Sequence, residues 1–131
     1  MKVLICHSSS NEVGPALVAA FRSMGHASSS FLDDQSIYFN LYHFLTNSPF
    51  RKNAALTLQN YKKLIGRKLL QVIKVLCPEL IIVIQGDYFF GEDIERIRTV
   101  YGLPVINWLV NDPILLEFYD PFRVVNLSAY S

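Results

Sequence analysis

Three ionisable side chains lie at the ends of apolar runs of the sequence. His7 ends the run KVLICH, Asp87 follows PELIIVIQG, and Asp112 follows LPVINWLVN. Histidine and aspartate side chains act as general bases that take a proton from a reacting hydroxyl group. Since ligands of open α/β sheets bind beyond the carboxyl ends of the strands, His7, Asp87 and Asp112 are the candidate catalytic residues. For each of them an ordinary structural role, at a strand end or in a turn, remains the alternative.

Small and polar residues lie near these candidates. The turn Ser8, Ser9, Ser10 could bind a sugar hydroxyl, or a phosphate at the N-terminus of the helix that follows. A solvated loop with a Ser or Asn helix cap is the alternative. Gly86 has no side chain and would let a ligand approach the backbone. Trp108 is predicted to be a core residue, with sugar stacking as its alternative role.

The sequence shows no cofactor or metal motif. The turn after the first apolar run lacks both GxGxxG and GxxxxGK[ST], so neither a dinucleotide site nor a P-loop is predicted. Cys6 and Cys77 form no CxxC motif and no Cys/His cluster, so no zinc site is predicted. We expect both cysteines to be small buried residues in a reduced environment. No Ser-His-Asp or Cys-His arrangement can be assembled from the spacing, and neither a cofactor nor a metal is expected.

The apolar runs predict a parallel sheet, because parallel strands are buried on both faces and read as continuous apolar runs. Four strands are predicted, at Lys2–His7, Ser28–Leu32, Leu80–Gln85 and Val105–Val110. Helical spacing predicts helices in residues 15–24, 35–50, 54–77 and 91–100. The segment Pro78–Pro113 is the clearest βαβ unit. We therefore predict a single domain over residues 1–131, with an α/β, Rossmann-like three-layer fold and a mainly parallel sheet of about four strands.

Two further segments carry weaker predictions. Gly66, in the middle of the longest helix, indicates a bend or a close helix contact, because glycine is unfavourable inside a helix. After Pro113 the pattern predicts one or two helical turns at Ile114–Tyr119 and supports no assignment for Val124–Leu127.

Charge is low overall but unevenly distributed. The chain is 51% hydrophobic and 18% charged, with a net charge of +1, which gives no argument for nucleic acid as a partner. There is no signal-peptide core and no long apolar run, so a cytoplasmic protein without stable membrane insertion is expected. Seven of the 12 basic residues lie between Asp34 and Glu79, a stretch without any acid. A solvated helix face is the expected reason, and an anionic partner or a membrane surface is the alternative.

The apolar runs that end in polar turns also carry a family resemblance. Cys77–Gly86 reads CPELIIVIQG and Gly102–Pro113 reads GLPVINWLVNDP. These stretches resemble the "kPDlil...kG" and "g.ktv.W..DDP" strands of the spore-maturation (CgeB-like) glycosyltransferases, which have the two-domain GT-B architecture. Asn111 stands where the family has the first acid of its closing pair. Family members continue into a further strand and a second domain, whereas this chain ends at Ser131.

The resemblance implies transfer of a sugar from a nucleotide-sugar donor to an acceptor, with substrate contacts at Trp108 and Asn111. In GT-B enzymes the C-terminal domain mainly holds the donor and the N-terminal domain contacts the acceptor. The resemblance thus implies an acceptor-side domain that is inactive without a second domain; oligomerisation is left open. The alternative is a non-enzymatic α/β regulatory or assembly module, receiver- or flavodoxin-like. Ser8–Ser10 argue against a receiver, which has acids after its first strand.

Overall fold

The computed structural model describes residues 1–35, 37–46, 49, 53–86 and 88–109. Within these ranges the elements are β1 (Lys2–His7), α1 (Val13–Ser23), β2 (Ala27–Leu32), α2 (Ile37–Thr46), α3 (Ala54–Leu76), β3 (Leu80–Ile84), α4 (Gly91–Thr99) and β4 (Val105–Trp108). The strands and helices predicted before residue 109 are confirmed, with ends that differ by a few residues. The predictions for Ile114–Tyr119 and Val124–Leu127 lie outside the described residues.

The strands form a parallel sheet in the order β2-β1-β3-β4. Helix α1 covers one face of the sheet, and α2, α3 and α4 contribute to the core on the other face. This is the predicted α/β, Rossmann-like three-layer fold. Because the chain winds from β1 to β2 in one direction and then continues to β3 and β4 on the other side of β1, a topological switch point lies between β1 and β3. Doubly wound folds bind ligands at this point.

Strand β1 is central because its sequence is apolar on both faces. Val3 and Ile5 pack toward α1, whereas Leu4 and Cys6 belong to the core on the opposite face. All four side chains are buried. Burying an aliphatic side chain stabilises a fold by about 1.5–3 kcal/mol. Because β1 buries side chains on both of its faces, it joins the two helix layers.

Strand β2, with the sequence ASSSFL, is held by hydrogen bonds to α1 as well as by pairing with β1. Ser28 Oγ donates to the Val18 carbonyl at 2.8 Å. The Arg22 guanidinium donates to the Ser28 carbonyl, through Nε at 3.2 Å and Nη2 at 2.9 Å. A strand with three serines therefore forms at the sheet edge because α1 pairs with its polar groups.

Helices α2 and α3 form a helical hairpin. Phe39 of α2 packs edge-to-face on Tyr61 of α3 and on Tyr88, with ring centroids 5.8 and 5.4 Å apart. Tyr61 and Tyr88 pack on each other in the same way, at 5.4 Å. This ring cluster joins the hairpin to the segment after β3. Neither α3 nor another helix in the described ranges is long and apolar enough to cross a bilayer.

The close helix contact that Gly66 indicates is present, between α3 and α4. A Cβ atom at Gly66 would overlap the Asp93 carboxylate, so glycine lets the first turn of α4 lie against the backbone of α3. Burial at this contact raises the pKa of Asp93, the neighbouring Glu92 carboxylate raises it further, and Arg96 lowers it in part.

The two cysteines have different environments. Cys6 is buried in β1, as predicted; this burial and, to a smaller extent, the Asp33 carboxylate raise the pKa of its thiol. Cys77 is exposed, so the prediction that it is buried is wrong. The reason is that Cys77 ends α3 in a left-handed conformation, with φ at 47°. Its N–H there donates to the Ile73 carbonyl at 2.9 Å, and its side chain lies at the surface.

Candidate functional site

The carboxyl ends of three strands bring several predicted site residues to one edge of the sheet. The register pairs Cys6 of β1 with Val83 of β3, so Ser8–Ser10 and Gly86 follow these two strands at the same edge. Strand β2 pairs in parallel with β1 and ends at this edge before Asp33–Asp34. These segments surround the switch point between β1 and β3.

His7 is a buried residue that joins β1 to β2 and α1. Its Nδ1 lies 2.8 Å from the Ser8 carbonyl oxygen, and its Nε2 lies 3.0 Å from Ser30 Oγ. Because a carbonyl oxygen only accepts hydrogen bonds, this arrangement assigns the proton to Nδ1, and Nε2 accepts from the Ser30 hydroxyl. The residue is 2% exposed, and a Cβ atom on Gly14 would overlap the ring. For His7 to act as a general base, its Nε2 must give up the hydrogen bond with Ser30 and bind the substrate hydroxyl instead. The general-base role of His7 stays a prediction.

The serine turn is shaped by Asp34, which follows β2. Asp34 Oδ2 accepts hydrogen bonds from the Ser9 N–H at 2.8 Å and from the Ser9 hydroxyl at 2.6 Å. The hydroxyl oxygens of Ser8 and Ser10 lie 3.4 Å apart. The N–H and hydroxyl groups of Ser9 are thus engaged by Asp34. Ser10 is exposed and Ser8 is partly exposed. The turn can offer Ser8 and Ser10 hydroxyls to a polar ligand.

The N-terminus of α1 is closed by Asn11. Its Oδ1 accepts hydrogen bonds from the N–H groups of Val13 at 2.8 Å and Gly14 at 3.2 Å. The predicted Asn helix cap is therefore confirmed. Phosphate binding at a helix N-terminus uses these same N–H groups. Because Asn11 occupies them, the geometry favours a sugar hydroxyl over a phosphate at the serine turn.

The turn after β3 holds two consecutive residues in the left-handed conformation, Gln85 with φ at 68° and Gly86 with φ at 82°. For a residue other than glycine this conformation costs about 1–2 kcal/mol, and such strain concentrates at functional sites. The Asn107 amide of β4 donates to the carbonyls of Val83 at 3.3 Å and Gln85 at 3.0 Å. The Gln85 N–H donates to the Trp108 carbonyl at 2.9 Å. Strand β4 therefore holds the strained turn in place.

Asp33 places a carboxylate inside the protein, at the end of β2 beside β1. The residue is buried, and its N–H donates to the His7 carbonyl at 3.0 Å. Burial is the main cause of the raised pKa of the Cys6 thiol, and the Asp33 charge raises that pKa further. In the described part of the chain, no three His, Cys, Asp or Glu side chains lie close enough together to hold a metal ion.

Trp108 is 48% exposed, so the prediction that it is a core residue is wrong. Strand β4 is at the edge of the described sheet, and α1 packs over β1 and β2. Trp108 and Ile106 are therefore left exposed on β4. A sugar-stacking role for Trp108 stays a prediction. The candidates Asp87, Asn111 and Asp112 lie outside the described residues.

Sequence reasoning did not identify Ser30 or Asn107 as parts of this site, and it did not predict the contact of Asp34 with the serine turn. Ser30 contacts a residue 23 positions away, and Asp34 contacts one 25 positions away. The one available signal was the acidic pair Asp33–Asp34 directly after the second strand. This position grips a ribose in dinucleotide enzymes, but without a glycine fingerprint the pair is predicted to cap the next helix. In this protein Asp34 instead holds the serine turn.

Comparison with known proteins adds no information on this site. No protein-family model, no curated protein and no solved structure matches the chain. The resemblance to CgeB-like glycosyltransferases therefore remains a prediction from Cys77–Gly86 and Gly102–Pro113.

Proposed function

We propose that this chain is the acceptor-side domain of a nucleotide-sugar-dependent glycosyltransferase and that the acceptor binds at the switch point between β1 and β3. The observation that carries the proposal is the strained Gln85–Gly86 turn, which lies at this point and is pinned by Asn107. Backbone strain that the surrounding structure maintains is typical of ligand sites. The exposed hydroxyl of Ser10 supports a polar, uncharged ligand such as a sugar.

In the proposed reaction a base takes the proton of the acceptor hydroxyl while its oxygen bonds to the anomeric carbon of the donor. The bond from that carbon to the nucleoside diphosphate breaks, and the diphosphate leaves with the electron pair. Asp87 is the preferred base, because it follows Gly86 in sequence and because both His7 nitrogens are already engaged. The donor would be held mainly by a second domain, so the chain alone is expected to bind acceptor without transferring sugar.

The test is a titration of the isotope-labelled chain, observed by NMR, with a panel of simple sugars and glycosides. Acceptor binding should shift the amide signals of Ser8–Ser10 and Gly86. The amides of Gly25 and Gly102, in the connections before β2 and β4, are the matched controls, and their signals should not move. Nucleotide-sugars should bind weakly. Shifts confined to other residues, or micromolar binding of a nucleotide-sugar, would contradict the proposal.

A non-enzymatic assembly module is the second candidate. The observation that favours it is the closed hydrogen bonding at the switch point, where His7, Ser9 and Asn11 all bond within the protein. In that case the same titration leaves every amide signal unchanged. Sedimentation equilibrium would then show association that depends on protein concentration.

A further inference from the structure

One end of the α2–α3 hairpin exposes large apolar side chains, which we call the hairpin tip: Leu41, Phe44 and Leu56. Phe44 is 66% exposed and Leu56 is 62% exposed. Phe44 lies two residues before the end of α2, and Leu56 lies two residues after the start of α3. Because consecutive helices of a hairpin meet at their connection, Phe44 and Leu56 lie at the same end of the hairpin. Leu41 lies about one helical turn before Phe44 on α2. Exposed apolar side chains that cluster indicate an interaction surface.

Helix α3 also carries a basic face, formed by Lys63, Arg67 and Lys74. Leu56 lies seven residues before Lys63, and the next spacings are four and seven residues. These spacings are close to whole helical turns, so the basic face continues from the hairpin tip along one side of α3. It extends about 27 Å from Leu56, at about 1.5 Å per residue. All four residues are exposed.

The positive charge of α3 is not balanced within the helix. Its sequence contains five basic residues and no acid. Among the residues that the structure describes, the three members of the basic face form no ion pair. The face therefore presents cations beside apolar side chains. Glu92 and Asp93 of α4 line the same groove as Lys63 and Arg67, but within the described part of the chain they form no ion pair with them.

We infer that the hairpin tip and the basic face together dock on an anionic lipid surface, an interaction independent of the proposed sugar transfer. A bilayer interface takes both parts at once, since apolar side chains enter the acyl boundary while cations remain at the anionic headgroups. A nucleic acid would match the cations but would leave Leu41 and Leu56 without an apolar partner. Docking at the surface does not need a membrane-spanning helix.

The first experiment is sedimentation of the full chain with lipid vesicles. Vesicles rich in phosphatidylserine should bind the protein, and vesicles of pure phosphatidylcholine should bind it at least about tenfold less, because the anionic surface attracts the basic face. Raising the salt from about 0.1 M to about 1 M shortens the Debye length from about 10 Å to about 3 Å and should release most of the protein.

Two variants separate the contribution of the basic face from that of the hairpin tip. Lys63→Glu with Arg67→Glu should lower binding to the anionic vesicles at least about tenfold. Phe44→Ser with Leu56→Ser should also lower it about tenfold, because the apolar contact is lost. The matched control is Val75→Ser with Val100→Ser, which removes two apolar side chains outside the hairpin tip that are even more exposed than Phe44 and Leu56; it should leave binding unchanged. Circular dichroism checks that each variant keeps its helices.

Two results would overturn the inference. One is the absence of a preference for the anionic vesicles, including no binding to either kind. The other is retained binding by the Phe44→Ser, Leu56→Ser variant, with loss only in the charge variant. That second result would show a general polyanion surface, and a single-stranded DNA competitor would then displace the protein from the vesicles.

Discussion

At the residue scale, Cys77 has a conformation that disfavours every side chain with a Cβ atom. Its φ of 47° lies in the left-handed region, which costs about 1–2 kcal/mol for a residue other than glycine. Cys77→Gly removes this cost. However, the extra backbone freedom of glycine stabilises the unfolded chain by about 0.5–1 kcal/mol. We expect a net gain of about 0.5–1 kcal/mol in the free energy of unfolding in urea. Cys77→Ala, which keeps the Cβ atom, is the control and should give no gain.

The thiols of the two cysteines should differ in reactivity. Cys6 is buried and its pKa is raised by burial and by Asp33, so thiolate is scarce and inaccessible; Cys77 is exposed. The thiolate is the reactive form of cysteine. Titration with a thiol reagent should therefore modify one cysteine in the folded protein and both after denaturation. The folded Cys77→Ser variant should contain no thiol that the reagent modifies rapidly. Rapid modification of that variant would contradict the burial of Cys6.

Residue-level contacts were predictable where they are local. The cap by Asn11 involves residues two and three positions away, and the sequence of the turn indicates it. The bond between Asp34 and Ser9 spans 25 positions and exists only because β1 and β2 pair in parallel. No spacing rule gives such a contact before the register is known. The exposure of Cys77 also depends on how α3 ends, which its apolar neighbours did not indicate.

At the scale of elements, α1 lies so close to β1 that Gly14 has no room for a side chain. Gly14→Ala favours the helix by about 1 kcal/mol, but its Cβ atom overlaps the buried His7 ring. Overpacking of this kind costs about 1–3 kcal/mol, so we expect a net loss of stability. The cost should shrink in a His7→Ala background, measured as a double-mutant cycle. An equal cost in both backgrounds would show that the ring is not the obstacle.

The contact between α3 and α4 should make stability depend on pH through Asp93. Its folded pKa is raised, chiefly by burial, so the folded state prefers the protonated form. Stability therefore falls as pH rises from the ordinary aspartate pKa through the folded pKa, and the loss is complete above it. Asp93→Asn should be more stable than the parent at pH 7, and this advantage should disappear in acid. Glu95→Gln, exposed on the same helix, is the control. The expectation is contradicted if stability rises with pH in the parent protein but not in the Asp93→Asn variant.

The elements themselves were largely predictable because most are buried in a regular pattern. β1 and β3 are continuous apolar runs with both faces covered. The serine-rich β2 gave a weaker signal, because its stability comes from Ser28 and Arg22 hydrogen bonds to other elements. The exposure of Trp108 was not predictable, since an apolar run does not show which strand lies at the sheet edge.

For the whole molecule, the strand order sets a gradient of local stability. β1 and β3 lie inside the described sheet, with β2 and β4 at its edges. Amides that are bonded on both sides and covered by both layers open only with global unfolding. Hydrogen exchange should therefore be slowest in Leu4–Cys6 and Ile81–Val83, and faster in β2. Equal protection of β2 and β1 would show that α1 stabilises the edge as strongly as a neighbouring strand does.

The position of β1 also has a consequence for synthesis on the ribosome. The Lys2 N–H at the start of β1 donates to a Glu79 carboxylate 77 residues later. At about 5–20 residues per second, β1 leaves the ribosome roughly 4–15 s before this partner. During that interval β1, α1 and β2 can assemble, but Leu4 and Cys6 have no α3 or β3 to cover them. The nascent chain therefore passes through a half-covered sheet, a state that chaperones recognise by its exposed apolar surface.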